Sequence, residues 1–281
     1  MLANQKGVTI SNPSRWPRKI ERFQSSRVQG LKVISDWDRT LTAPHSTKGL
    51  DQSTYSFLYN SNLLGSQFRY ESKSLYDTYR KIELSSEMQE SEKCAKMDEW
   101  WSAQFDLLIE YGFSDELISR LLEGDRLTMR EGAWAFLKRL SKNGVPILVL
   151  SAGIANVIEA QLRLHGANTP NLHISANALS MNQLGIATDH NRPLIHTLNK
   201  TSYVPRSGTF SKATSNRPNL LLLGDTVEDV RMKQVTSYAN TISIGFLCDS
   251  NLHSQFIDAY DAVVAPDGSL EIVNRLLDTI E

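Results

Sequence analysis

Cysteine is scarce in this chain, and a long apolar segment is missing from it. The two cysteines among 281 residues, Cys94 and Cys248, are too few for a disulfide framework or a zinc cluster and are typical of a reducing compartment. No run of eighteen apolar residues could span a bilayer, and residues 1–7 lack the apolar centre of a signal peptide. We therefore expect a cytoplasmic protein with no membrane partner.

A large excess of one charge is also absent. Thirty basic and 31 acidic residues give a net charge of -1, so no long-range field favours nucleic acid or an anionic membrane. Any phosphorylated ligand must then be held by local groups. We expect a monomer that binds a small molecule and no nucleic acid.

What the chain does contain is typical of a globular protein with a sizeable core. Hydrophobic residues make up 41% and charged residues 22%, and the length allows one core domain that carries a smaller insertion. Residues 1–30 are polar, mixed in charge and interrupted by Pro13 and Pro17. We expect them to form an extended arm or a short lead-in rather than part of the core.

Strand and helix patterns alternate along the rest of the chain. Residues 31–35 are the first short β-rich run, and residues 46–125 show helical spacing that indicates a helical insertion. Further strand patterns lie at 145–150, 172–175, 220–223 and 241–244, with helical patterns at 134–141 and 154–165 between them. This alternation predicts an α/β fold with a largely parallel sheet and helices on both faces.

Polar groups follow three of these strands where each one ends. Asp36 and Asp38 follow the first strand, the segment Ser151-Ala152-Gly153 follows the second, and Asp225 and Asp229 follow the strand at 220–223. Ligands of parallel α/β sheets bind at the carboxyl ends of the strands. Paired carboxylates there need a cation or a proton between them, and oxygen ligands favour Mg²⁺ over Zn²⁺. A solvated acidic loop is the alternative interpretation of the Asp36–Asp38 pair.

Such a site has the groups that phosphoryl transfer requires. A carboxylate beside Mg²⁺ can attack phosphorus and form an aspartyl-phosphate, and a second carboxylate can protonate the leaving oxygen. Ser151 precedes a helical pattern, so its segment is either a phosphate seat or an ordinary N-cap. Lys200 and Lys212 both precede the 220–223 strand, and the residues alone leave open which of them would reach a phosphate.

These segments resemble the haloacid dehalogenase superfamily of phosphohydrolases. Residues 36–40 match its first motif, Asp-x-Asp-x-Thr, Ser151 matches the second, and the Gly224-Asp225 pair with Asp229 matches the acidic fourth. A closer resemblance, from about Val33 to the C-terminus, is to the pyrimidine 5'-nucleotidase family, the cytosolic 5'-nucleotidase III type, which includes 7-methylguanosine-phosphate-specific members. The segments that carry it include Met97-Asp98-Glu99-Trp100-Trp101, Met129-Arg130-Glu131-Gly132 and Ile195-His196-Thr197-Leu198-Asn199-Lys200.

The resemblance implies a Rossmann-like haloacid dehalogenase core (31–45 and 126–281) with an inserted α-helical cap (46–125). It also implies roles at the site. Asp36 would be the nucleophile, Asp38 the acid and base, Lys200 the phosphate-binding lysine, and Asp229 a supporting carboxylate. Mg²⁺ would be held by the Asp36 side chain, the Asp38 backbone carbonyl and the Asp225 carboxylate, while Ser151, Ala152 and Gly153 would bind the phosphate.

Two cap residues are implied to read the base of a nucleotide. Glu83 matches a glutamate that accepts hydrogen bonds from the base, and Trp101 lies where the family places a stacking aromatic. The alternatives are a solvated helix-face glutamate, and a Trp100–Trp101 pair of which at least one member only packs the cap. Trp37, Arg39 and the segment 182–192 depart from the family pattern.

The implied function is Mg²⁺-dependent hydrolysis of the pyrimidine nucleotides UMP and CMP to nucleoside and phosphate. One alternative substrate is 7-methylguanosine monophosphate, and another is a different small phosphorylated metabolite. A nucleoside could also replace water as the phosphate acceptor. A binding module without activity is the remaining alternative, but every position that the mechanism requires holds the residue type that it requires.

Overall fold

Three apolar runs form the centre of a parallel sheet. The computed structural model describes residues 6–46, 48–85, 87–124, 127–235 and 238–281. In it the runs become strands β2 (Leu31–Ser35), β3 (Ile147–Ile154) and β7 (Asn219–Gly224), and their residues are almost all buried. Ser35 pairs in parallel with Val149 on one side and with Leu223 on the other. The carboxyl ends of the three strands therefore meet at one edge.

The sheet has seven strands in the order β1-β9-β8-β7-β2-β3-β4. The outer strands are β4 (Leu172–Asn177), β8 (Asn240–Phe246), β9 (Ala262–Val264) and β1 (Val8–Ile10), of which only β1 runs antiparallel to its neighbour. Helices α1 (Trp16–Ser26), α6 (Ala133–Lys142), α7 (Ala155–Leu164), α8 (Gly208–Thr214), α9 (His253–Ala259) and α10 (Glu271–Ile280) surround it. The predicted α/β class with a mainly parallel sheet is confirmed.

The expectation of an extended N-terminal arm outside the core is wrong for residues 8–30. Strand β1 pairs with β9 at the sheet edge, and Trp16 and Phe23 of α1 are buried in the main core. Trp16 and Phe23 lie seven residues apart, which places both on one face of a helix. Pro17 is compatible with this helix because it lies in the first turn, where proline is tolerated.

Between β2 and β3 the chain forms a layer of helices with its own apolar centre. These are α2 (Thr54–Ser61), α3 (Gly65–Leu84), α4 (Glu90–Glu110) and α5 (Asp115–Gly124). Their buried side chains include Phe57, Phe68, Phe105, Leu108 and Phe113. The expected boundary of the insertion at residues 125 and 126 lies outside the described residues.

A hairpin from the second half of the chain joins these helices. Strands β5 (Leu179–Met181) and β6 (Ala187–His190) pair antiparallel, and Leu179 and Ala187 are buried in the same cluster as Phe105. The sequence patterns did not indicate this hairpin. Among the described residues, no helix is both long and apolar enough to cross a membrane.

Candidate active site

A buried lysine joins two carboxylates at the carboxyl edge of the sheet. Asp36 directly follows β2, and its amide still pairs with the carbonyl of Leu223 in β7. Lys200 opens the short 3-10 helix Lys200–Tyr203. Its Nζ lies 2.6 Å from Asp36 Oδ1 and 2.8 Å from Asp229 Oδ1. Burial by itself would lower the pKa of Lys200, but Asp229 and Asp36 outweigh it and raise that pKa, so the ammonium stays charged.

The loop after β7 fixes Asp229 beside Asp225. Asp229 is fully buried, and its Oδ2 accepts hydrogen bonds from the amides of Asp225 (3.2 Å) and Thr226 (3.1 Å). Gly224 is needed here because a Cβ would lie 2.5 Å from Cβ of Asp229 and 2.6 Å from Oη of Tyr260. The Tyr260 hydroxyl donates to the carbonyl of Thr226 and so closes this loop.

Three carboxylates at this edge have the geometry of a cation site. Asp36, Asp225 and Asp229 each offer an oxygen, and these oxygens lie within 4.8 Å of one another. Asp36 Oδ2 is buried and has no hydrogen-bond partner among the described residues. Burial first, and then the charge of Asp229, raise the pKa of Asp36 to about 6 against the pull of Lys200. A buried oxygen without a partner, in a set of oxygen donors, fits a hard cation such as Mg²⁺.

The carboxyl group of Asp38 lies apart from these three. Its Oδ1 accepts from the amide of Thr54 at 2.8 Å, and its Oδ2 accepts from the Thr54 hydroxyl at 3.2 Å. Burial and then the neighbouring Asp36 raise the pKa of Asp38 to about 7. Near neutral pH the group can therefore both give and take a proton.

The Ser151-Ala152-Gly153 segment forms the last part of β3 and not a helix cap. Helix α7 begins only at Ala155, and no side chain caps it. The N-cap alternative is therefore wrong. Ser151 is buried, and its Oγ accepts the amide of Gly153 at 2.9 Å. Ser35 of β2 pairs with Val149 of β3. Asp36 directly follows Ser35, and Ser151 lies two residues after Val149, so both residues lie at the carboxyl edge of the sheet.

The structure separates the two candidate lysines. Lys200 reaches the carboxylates, as described, whereas Lys212 lies exposed on α8. Lys200 could be found from the sequence only through the family resemblance, because neither lysine has a local pattern that predicts its position.

Two arginines that the sequence reasoning did not assign hold the loop after β2. Arg39 pairs with Asp51 at 2.7 Å and with Asp225 at 3.6 Å. Arg130 donates to the carbonyls of Thr40 at 2.9 Å, of Gly268 at 2.6 Å and of Arg39. Arg130 lies in one of the segments that carry the family resemblance, which was the available signal.

Glu83 connects the helical layer to the Lys200 segment. Its Oε1 accepts from the hydroxyl of Thr197 at 3.2 Å, and its Oε2 pairs with Arg80 on the same helix. The Glu83 side chain is only 15% exposed, so the alternative of a solvated helix-face glutamate is wrong. Glu83 thus contacts Thr197, which precedes Lys200 by three residues in the sequence.

The two tryptophans of α4 differ in their surroundings. Trp100 is buried and stacks on Tyr79, with ring centroids 6.0 Å apart and planes 5° from parallel. Trp101 is half-buried and meets Tyr55 edge-on at 6.2 Å. Trp100 is therefore fully packed, whereas Trp101 packs against the helical cluster and is only partly buried.

Known proteins are similar to this chain over most of its length. A family model described as Pyrimidine 5'-nucleotidase (UMPH-1) matches residues 40–281. The chain is 34% identical over 273 residues to a Xenopus laevis protein named 7-methylguanosine phosphate-specific 5'-nucleotidase B, and the match covers 96% of this chain and 94% of that protein.

Solved structures give the same picture of the fold. A crystal structure of cytosolic 5'-nucleotidase IIIB bound to cytidine has a TM-score of 0.88 and 26% identity, over 99% of this chain and 95% of that one. A haloacid dehalogenase-family hydrolase from Salmonella enterica has a TM-score of 0.58 at 11% identity, covering 96% and 81% of the two chains. This second likeness shows the fold alone.

Proposed function

The chain belongs to the pyrimidine 5'-nucleotidase family and is a 5'-nucleotidase with a haloacid dehalogenase fold, and from that premise we propose that it works through an aspartyl-phosphate on Asp36. The observation that carries the proposal is the asymmetry of this carboxylate. Its Oδ1 lies 2.6 Å from Lys200 Nζ, while Oδ2 has no partner among the described residues. Lys200 thus positions one carboxylate oxygen of Asp36, and no described residue forms a hydrogen bond to the other.

In the first half of the proposed reaction, an Asp36 oxygen attacks phosphorus and the bond from phosphorus to the nucleoside 5'-oxygen breaks. Protonated Asp38 gives its proton to that oxygen, so the nucleoside leaves as a neutral alcohol. In the second half, ionised Asp38 takes a proton from water as the water attacks phosphorus. The bond between phosphorus and the Asp36 oxygen breaks, phosphate leaves, and the Asp36 carboxylate is regenerated.

Charge on the transferring group requires compensation during both halves. We propose that Lys200 binds the phosphoryl oxygens while Asp229 holds the lysine in place, and that Ser151, Ala152 and Gly153 bind the remaining oxygens. Mg²⁺ would be held by Asp36, Asp225 and the Asp38 backbone, where it would neutralise phosphoryl charge.

The helices of residues 46–125 are proposed to be a cap domain on a core formed by 31–45 and 126–281 together with the N-terminal strand β1 and helix α1. Trp101 offers a partly exposed ring for stacking. Glu83 offers a carboxylate beside the Lys200 segment. Base recognition by the cap would place the 5'-phosphate at the carboxyl edge of the sheet.

UMP and CMP are the proposed substrates, in keeping with the matched family and with the solved relative that binds cytidine. 7-Methylguanosine monophosphate is a second candidate, because the Xenopus relative is named for it. Methylation at N7 makes the purine ring cationic, and aromatic rings and carboxylates attract cations. The solved relative is named cytosolic, and we propose the same compartment here.

The test is a phosphate-release screen over UMP, CMP, 7-methyl-GMP, GMP, AMP and phosphoserine, each with Mg²⁺ and with a chelator. We expect Mg²⁺-dependent release from UMP, CMP or 7-methyl-GMP and little from phosphoserine. Adding a nucleoside acceptor to the same reactions would reveal phosphate transfer as a new nucleotide. Preference for phosphoserine over every nucleotide would exclude base recognition.

Asp36→Asn should abolish turnover and leave the fold intact. It removes the nucleophile, keeps the shape and leaves Lys200 paired with Asp229. We therefore expect kcat to fall by more than about 10⁴-fold and Tm to change by less than ~4 °C. Steady-state phosphate release and thermal unfolding measure the two. Asp77→Asn, at an exposed aspartate on α3, is the control and should match the parent enzyme. Appreciable Mg²⁺-dependent activity in Asp36→Asn would exclude the aspartyl-phosphate.

A further inference from the structure

One fully buried threonine connects Asp38, the first helix of the cap and the end of β3. Thr54 is the first residue of α2, directly after the N-cap Ser53. The amide at this position has no partner within its own helix, and here it donates to Asp38 Oδ1 at 2.8 Å. The hydroxyl donates to Asp38 Oδ2 at 3.2 Å and accepts the amide of Ile154 at 3.0 Å.

We propose that Thr54 is a positioning residue that holds the acid–base carboxyl of Asp38 in line with the leaving oxygen. Because Thr54 belongs to the first helix of the cap and also bonds the strand end of β3, the position of Asp38 depends on how that helix sits against the core. The proposal rests on the acid–base role proposed above for Asp38.

The hydroxyl of Thr54 uses its proton and a lone pair at once. Its proton goes to Asp38 and its lone pair accepts from Ile154, so a methyl group in its place would break both bonds. The Ile154 amide would then be left unsatisfied in a buried site. Serine keeps both bonds, whereas valine keeps only the shape.

Gly153 allows the close approach that this contact requires. A Cβ on Gly153 would lie 2.3 Å from Oγ1 of Thr54 and 2.6 Å from Oδ2 of Asp38. The backbone of β3 therefore passes directly against the Thr54–Asp38 pair. A side chain of any size at 153 would displace one or both of them.

A positioning role and a purely structural role predict different dependence on the leaving group. A nucleoside 5'-hydroxyl is a poor leaving group and needs a proton from Asp38, whereas p-nitrophenol leaves readily as its anion. Loss of alignment should therefore slow the first chemical step for a nucleotide and spare p-nitrophenyl phosphate. General damage to the site would slow both. Rapid-quench measurement of the first turnover isolates this step from the later attack by water.

For Thr54→Val we expect the first-turnover rate with UMP or CMP, whichever is turned over faster, to fall by up to about 10²-fold. The rate with p-nitrophenyl phosphate should change little. Thr54→Ser should restore nucleotide turnover. Thr188→Val, at an exposed threonine of β6, is the matched control and should behave as the parent enzyme. Should Thr54→Val not fold, Thr54→Ala carries the same expectation.

Asp38→Asn separates the two proposals. It should show the same leaving-group dependence more strongly, and equal slowing of both substrates in Asp38→Asn would overturn the acid–base role itself. If Asp38→Asn discriminates between the substrates and the Thr54 variants do not, Asp38 is the acid and the positioning role of Thr54 is excluded.

Discussion

Lys200 shows how a single buried residue balances the charge of its neighbours. It lies between Asp36 and Asp229, and all three side chains are buried. A buried carboxylate is stable only with a partner. Lys200 therefore has two functions in this structure: it compensates the carboxylates in the resting protein and, in the proposed reaction, binds the phosphoryl group.

Lys200→Met should reduce both activity and stability. Removing one partner of a buried ion pair typically costs about 3–5 kcal/mol, so we expect the free energy of unfolding to fall by about 3 kcal/mol. Urea unfolding at pH 8 with a chelator measures this without help from a bound cation. Lys212→Met is the matched control, because Lys212 is exposed on α8, and its effect should stay within about 0.5 kcal/mol. If Lys200→Met and the parent protein had the same free energy of unfolding in the presence of chelator, Lys200 would not stabilise the buried carboxylates.

At the scale of elements, the N-terminal strand and helix are part of the sheet domain. β1 extends the sheet beyond β9, and Lys19 of α1 donates to the carbonyl of Thr241 at 3.0 Å and pairs with Asp261 at 2.6 Å. Strand β1 has only three residues, which is too short for a recognisable pattern. Helix α1 does carry a helical apolar face, because Trp16, Ile20 and Phe23 follow i, i+4, i+7 spacing, but the prolines and mixed charge around it favoured the interpretation as an arm.

Phe23→Ala should reveal the contribution of α1 to the core. Phe23 has no exposed surface, and truncating a buried phenylalanine typically costs about 3–5 kcal/mol. Urea unfolding should show this loss, while Arg22→Ala, at an exposed neighbour in the same helix, should change stability by less than about 0.5 kcal/mol. Equal, small effects of the two variants would indicate that α1 is not part of the cooperative core.

At the scale of the whole molecule, a nearly neutral protein concentrates negative charge at one edge of its sheet. The net charge is -1, yet Asp36, Asp225 and Asp229 have oxygens within 4.8 Å of one another. Burial raises the pKa of Asp36 to about 6 and that of Asp38 to about 7. In the absence of a cation, the carboxyl groups of Asp36 and Asp38 therefore stay protonated in the folded protein at pH values where they are ionised in the unfolded chain.

The contribution of Asp36 and Asp38 to the stability of the metal-free protein should fall as pH rises from about 4 to 7. In this range these two carboxyl groups bind more protons in the folded state than in the unfolded chain, so their contribution to the free energy of unfolding decreases with pH. Mg²⁺ needs ionised ligands and binds more tightly at higher pH. We therefore expect the increase in Tm on adding Mg²⁺ to be larger at pH 8 than at pH 5, measured by thermal unfolding with Mg²⁺ and with a chelator.

Asp36→Asn should weaken the Mg²⁺ effect on Tm, because it removes one proposed ligand. An Mg²⁺ effect on Tm that does not depend on pH, or one that Asp36→Asn leaves unchanged, would contradict a cation site at this edge.

The sequence by itself determined the elements whose patterns are local. The apolar runs of β2, β3 and β7 predicted their strands, and α6 and α7 lie within a residue of the predicted ends. Because parallel strands end at one edge, Asp36, Ser151 and Asp225 could be placed together before the structure was known. The apolar run of a buried strand and the repeating apolar face of a helix are both local along the chain, so the sequence shows them directly.

Only the tertiary structure decided the contacts between distant residues. It brought Thr54 to Asp38, Arg39 to Asp225 and Glu83 to Thr197, and it placed the β5–β6 hairpin among the helices of the insertion. Such contacts follow from how packed elements are oriented, and no local pattern encodes that orientation. For the same reason the sequence placed the carboxylates at the sheet edge but left the preferred nucleotide open.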